Sequence, residues 1–120
     1  MTTATNLALR QGFFKLDTPH DNLVATAGGG QNLGQRLQAG LNRFTIVVTA
    51  ADSAQLPSIN DEEAEGHVIV INDTATSMNV FPATGDGMNG VANASAAVAA
   101  NSAAFFMLVQ SAQNWRSATL

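Results

Sequence analysis

The residues of this chain that could do chemistry are few and fall in four places. Asp61, Glu62, Glu63 and Glu65 crowd their carboxylates into one short stretch. Paired carboxylates can run general acid/base hydrolysis, but only when two are held across a cleft with their pKa values pushed apart. Four acids together in a polar segment read more simply as a solvated loop, because perturbed, buried acids are what mark a site. Asp86-Gly87-Met88-Asn89-Gly90, with Asp73 as a further ligand, offers oxygen atoms that calcium would accept. The ligand pattern of a calcium loop, closed by a bidentate acid, is missing, and the glycines read as suppliers of positive φ in a tight turn. Gly28-Gly29-Gly30 is not followed by Gly-Lys-Ser/Thr, so a phosphate-cradling loop is excluded and a flexible hinge is expected. His20 and His67 have no cysteine and no third patterned ligand beside them, whereas zinc sites and catalytic triads need several convergent groups. No motif unites nucleophile, base and oxyanion donor. The expectation is a protein that is not an enzyme and holds no cofactor or metal.

The elements that would position these residues are β in character. Phe44-Thr45-Ile46-Val47-Val48-Thr49 is rich in β-branched side chains, which pack well on a pleated surface. Ala50 to Ser53 makes a turn, and Ala54-Gln55-Leu56 returns until Pro57 stops it. Residues 58–66 form a polar loop. His67-Val68-Ile69-Val70-Ile71-Asn72 is apolar at consecutive positions, as expected of a strand covered on both faces. A turn over 73–77 leads into Met78-Asn79-Val80-Phe81, and Pro82 closes that strand before the glycine-dense turn. The alanine-rich stretch 91–110 is divided: propensity favours helix over 96–100, while Asn93, Ser95, Asn101 and Ser102 interrupt it at turn-like intervals. Ala103 to Val109 reads as a buried strand, and residues 114–119 could close the sheet. Strands at such spacing argue for a sandwich or small barrel.

The first forty residues differ in texture. Phe13, Phe14 and Leu16 form an apolar knot, Asp17 to Asp21 marks a turn around Pro19, and the triple glycine follows. Residues 1–36 read as an extended arm hinged at the glycines, with 37–120 as the body. Leu33, Leu37 and Leu41 sit at helical spacing, though Gly34 and Gly40 interrupt it.

Composition limits the rest. At 120 residues, a single thin core is the most the chain can bury. Charged residues are only 12% of the chain, about half the usual share. A weakly charged surface rich in alanine and asparagine suits an oligomer. Arg10, Lys15, Arg36 and Arg43 against Asp17 and Asp21 leave residues 1–43 at +2, while Arg116 against seven acids leaves 44–120 at −6. The body lacks the basic patch and stacking aromatics of a nucleic-acid binder. No apolar run is long enough to span a bilayer as a helix, and the start lacks a signal-peptide pattern, so a cytoplasmic setting is expected. Cysteine is absent, which removes disulfides and thiolate chemistry.

An ordered series of motifs adds a family likeness. It runs through Asn42-Arg43-Phe44-Thr45, Ala50-Ala51-Asp52-Ser53 with Leu56-Pro57, and Val68-Ile69-Val70-Ile71-Asn72. Asn79-Val80-Phe81-Pro82-Ala83-Thr84-Gly85-Asp86, Asn89-Gly90, Ala92-Asn93-Ala94 and Trp115 complete it. The series resembles a domain of tailed-bacteriophage virion proteins, including capsid decoration or cement proteins, over about residues 42–117. The resemblance implies an all-β body, a compact β-sandwich or jelly-roll-like barrel, commonly trimeric, and turns the alanine stretch toward strand–turn–strand. It implies a protein of the virion, on the capsid surface, assembled in the bacterial host cytoplasm, with itself and the major capsid protein as partners, and no nucleic acid or membrane. A tail- or fibre-associated host-attachment module is the alternative. On this reading Arg10, Phe13, Phe14 and Lys15 form the capsid-docking arm. Val68, Val70, Phe81, Phe105, Phe106, Leu108 and Trp115 form core and subunit interface, and deleting residues 1–30 would leave a folded trimer. An ion at a trimer axis stays open, and His67 at a strand start would lend pH sensitivity to assembly.

Overall fold

The β-branched runs form strands, as their composition predicts, but their neighbours come from distant coils of the chain. The structure, a computed structural model, describes residues 19–60 and 66–120. Its strands are β1 (His20–Val24), β2 (Gln35–Arg36), β3 (Gly40–Ile46), β4 (Ser53–Gln55), β5 (His67–Asn72) and β6 (Met78–Phe81). There follow β7 (Gly87–Met88), β8 (Val91–Ala92), β9 (Ala96–Val98), β10 (Ser102–Val109) and β11 (Asn114–Thr119), with one 3-10 turn, Gln110–Ala112, between the last two. The fold is all-β.

The first six strands alternate between two sheets. β1, β3 and β5 lie side by side and parallel in the larger sheet, and β2, β4 and β6 do the same in the smaller. Each pair of successive strands therefore makes one coil, stacked on the next. Parallel neighbours need a long crossover connection, and here a strand of the opposite sheet supplies it. The register aligns Asn42 with Val70 and Phe44 with Asn72 in one sheet, and Ser53 with Asn79 in the other. The later strands close the stack: β9 runs antiparallel on β6, and β10 antiparallel on β5. β11 follows antiparallel on β10, β7 runs parallel to β11, and β8 forms a hairpin with β7. A sandwich or jelly-roll-like barrel is the sequence expectation; the observed arrangement is solenoid-like, because its first half is built from parallel coils.

Both sheets share one core. Phe44, Leu56, Val68, Val70, Met78, Val80, Phe106 and Trp115 are fully buried in it. Two asparagines sit inside as well, and both are satisfied. Asn42 Nδ2 donates to the Gln38, Gly40 and Ile69 carbonyls, and its Oδ1 accepts the Gln38 N–H. Asn72 Nδ2 donates to the carbonyls of Thr76, Val98 and Ala99, tying β5 to the turn beyond it and to β9. A buried amide is tolerated when its donors and acceptor are matched in this way.

Several sequence expectations change here. Residues 20–36, read as the second half of an arm, form β1 and β2 within the sheets, and Leu23 and Ala25 enter the core. A five-residue strand with Leu23 as its one buried apolar position leaves too weak a period to be seen in sequence. Residues 1–18, the rest of the expected arm, lie outside the described residues. The triple glycine is a packed turn instead of a free hinge: Gly28 has φ +59°, and a Cβ on Gly29 would collide with Ser53 Oγ. Leu33, Leu37 and Leu41 share no helix; Leu37 is buried and Leu33 is exposed. Ile59, in the expected polar loop, is buried, and the acids Asp61, Glu62, Glu63 and Glu65 lie outside the described residues. The alanine-rich stretch is strand–turn–strand, as the resemblance implied and propensity did not.

Candidate functional site

The described carboxylates, Asp21, Asp52, Asp73 and Asp86, each have a partner in the fold. Asp52, in the turn before β4, is buried and receives the Val48 and Thr49 N–H groups at 2.9 and 3.1 Å and the Thr49 hydroxyl at 2.7 Å. Those donors favour the ionised form, the Thr49 hydroxyl most of all, and hold its pKa below the ordinary carboxylate value. Asp86 is buried too, and its carboxylate accepts the Ile59 N–H at 2.9 Å. It thereby pins the 57–60 segment to the turn before β7. Asp73 pairs with Arg43 at 2.7 Å, and the same guanidinium reaches Asp21 at 2.9 Å. The Arg43 hydrogen bond, assisted by the Asn22 N–H, lowers the Asp21 pKa. These two exposed pairs clip β1 to β3 and to the turn after β5. The proposed calcium ligands Asp73 and Asp86 thus have separate structural partners. Among the described residues no group of three or more acids and histidines gathers.

The histidines are equally occupied by structure. His20 Nδ1 stands 3.2 Å from Asn42 Oδ1. His67 is 5% exposed at the start of β5, with its ring centroid 6.1 Å from that of Phe105. It is a packed residue of a sheet face.

The residues assigned jointly to core and interface separate into two sets. Val68, Val70, Phe106 and Trp115 point between the sheets and are fully buried. Trp115 is the anchor its size suggests, yet its indole N–H is buried without a hydrogen-bond partner. Leu108 packs on the edge of this core. Phe81 and Phe105 are half-buried and alternate outward from their strands. Arg10, Phe13, Phe14 and Lys15 lie outside the described residues.

Register lays one apolar row across the outer face of the larger sheet. Leu41, Ile69, Phe105 and Ala118 align across β3, β5, β10 and β11. In the adjoining row Arg43, Ile71 and Ala103 align, and the Leu120 N–H donates to the Ala103 carbonyl. Met107, beside His67 and Arg116, is 46% exposed and Leu120 68%. A second apolar surface, not anticipated from sequence, lies where β1 meets β3. Val24 and Ile46 are register partners there, both half-exposed, and Val48 follows at 71%. The signal for it was the unbroken Ile46-Val47-Val48 run: consecutive apolar residues leave one outside unless both faces are covered. On the smaller sheet an open depression of about 730 Å³ is lined by Asn32, Arg36, Gln55, Ser58 and Thr84. Asn32 Oδ1 accepts from Gln55 Nε2 and the Thr84 hydroxyl, and Arg36 donates to Gln55 Oε1.

The chain matches no family model, no curated protein and no solved structure.

Proposed function

We propose that this chain is a structural protein of a bacteriophage particle, a capsid decoration or cement protein that binds the outer surface of the assembled capsid as a trimer. The observation that carries the reading is the outer face of the larger sheet, where apolar residues from β3, β5, β10 and β11 align in register. Contiguous apolar surface of that kind marks a contact site more often than a solvated face. The motif series from Asn42 to Trp115 supplies the particle context. On this reading the outer sheet face takes part in subunit contacts, and Arg10, Phe13, Phe14 and Lys15 reach onto neighbouring capsid subunits.

The mechanism is linkage. A protein that binds the assembled lattice and not its separated subunits stabilises the lattice by mass action, and three linked contacts add avidity that no single one has. The amide-lined depression beside Arg36 favours a second reading, a tail- or fibre-associated module that binds a host ligand there. Cryo-imaging of the particle separates the two. Density covering the capsid lattice at every equivalent junction supports decoration, and density confined to the tail overturns it.

A further inference from the structure

The β7–β8 hairpin carries the chain's one Asn-Gly dipeptide, Asn89-Gly90, as its two-residue loop. Both residues are left-handed, with φ +53° and +91°, the combination a two-residue primed turn requires. Both are exposed. Asn-Gly is also the dipeptide most open to cyclisation, since glycine has no Cβ to crowd its own amide nitrogen. We propose that Asn89 is a site of covalent self-modification that the fold holds shut, and that the lock is its paired contact with Ser117. The proposal stands apart from the capsid reading.

The step balances without any co-reactant but water. The Gly90 backbone nitrogen, on losing its proton, attacks Asn89 Cγ and forms the N–C bond of a five-membered succinimide. The Cγ–Nδ2 bond breaks, and the amide leaves as ammonia. Water then opens the ring at either carbonyl, giving aspartate or isoaspartate at position 89.

In the folded chain both reacting groups are engaged elsewhere. Asn89 Nδ2 donates to Ser117 Oγ at 2.8 Å, and Asn89 Oδ1 accepts the Ser117 N–H at 2.9 Å. The carboxamide is thus held on β11 at both ends. The Gly90 N–H donates to Asn114 Oδ1 at 3.2 Å, which turns the nucleophile toward β11 as well. Cyclisation requires these bonds to open together. The aspartate product fits the same place, because a carboxylate accepts from the Ser117 N–H and from its hydroxyl, which rotates to donate. Isoaspartate adds a backbone atom to a two-residue turn and disturbs the hairpin register.

The test is peptide mapping of the full chain after incubation in mildly alkaline buffer, scoring aspartate and isoaspartate at position 89. Native protein is compared with the same protein in urea. With three hydrogen bonds to open, conversion in urea should be roughly thirty-fold faster or more. Ser117→Ala removes the Oγ contact and should convert roughly five-fold faster than wild type while native, whereas Ser117→Thr, which keeps the hydroxyl, should restore the wild-type rate. Should Ser117→Ala fail to fold, the wild-type comparison still decides. Equal rates for native and urea-unfolded wild type, or a folded Ser117→Ala with the wild-type rate, would overturn the proposal.

Discussion

Gly34 rests directly on the backbone of Ala54, so close that a methyl group there would stand 2.7 Å from the Ala54 carbonyl carbon. The contact joins β2 to β4, the first coil to the second, where Gln35 is in register with Ala54. It makes the spacing of the coils a property of one missing side chain.

Gly34→Ala should therefore destabilise the protein by about 1–3 kcal/mol, the usual scale of overpacking against fixed backbone. Gly30→Ala, where an added Cβ meets nothing within 4 Å and φ is not left-handed, is the control. It should stay within about 0.5 kcal/mol of wild type in urea unfolding, as surface substitutions do. Equal effects at the two glycines would refute the close contact of Gly34 with Ala54.

Stability should fall in acid in a way that Asp52 partly accounts for. Its pKa and that of Asp21 are lowered in the folded chain, so the folded state binds fewer protons than the unfolded one as the carboxylates titrate. The stabilisation is present above the unfolded carboxylate pKa, about 3.9, and is lost as pH falls through the lower folded-state value. Urea midpoints measured from neutral pH downward should hold level and then drop below about pH 4. Asp52→Asn should start lower and show a shallower acid slope.

Asn72→Ala should cost about 1–3 kcal/mol, because it leaves carbonyls of Thr76, Val98 and Ala99 without their buried donor. Asn79→Ala, on a half-buried residue with one long contact to Ala50, should be far milder. Thermal unfolding of the two variants side by side checks the ranking.

Truncation tests where the body begins. Deleting residues 1–18 removes none of the described strands, whereas deleting 1–30 removes β1 with Leu23 and Ala25 from the core. Loss of Leu23 packing alone is worth about 2–5 kcal/mol, so the longer deletion should be unfolded or nearly so by circular dichroism. Capsid binding is then properly tested on the shorter one. A folded 1–18 deletion that binds capsids unchanged would sink the docking role of Arg10, Phe13, Phe14 and Lys15.

Some features of the chain were legible in residue types alone. That the chain has no cysteine, and that Gly28-Gly29-Gly30 is not followed by Gly-Lys-Ser/Thr, are statements about which residues are present, and sequence carries them directly. The separation of Phe105 from Phe106 was legible in principle too, since alternation along one strand sends neighbours to opposite faces. The uses of Asp52 and Asp86 were not, because, the Thr49 hydroxyl apart, their donors are the Val48, Thr49 and Ile59 backbone N–H groups, which every residue but proline has.

What the sequence determined by itself was the class of structure. Phe44 to Thr49, Val68 to Ile71 and Ala103 to Val109 are β-branched or apolar runs; the second and third lie within β5 and β10, and the first overlaps β3 from Phe44 to Ile46 and leaves Val47 to Thr49 beyond it. Only the tertiary structure decided which strands are neighbours. Alternation tells a residue which face it occupies and says nothing of the strand beside it. Asn42 beside Val70, and Ser53 beside Asn79, are pairings across whole coils. Their contact follows from closing a shared core over both sheets, a cooperative event that no local stretch encodes. The same closure turned the triple glycine from a hinge into packing against Ser53, and the second half of an arm into the first coil of the body.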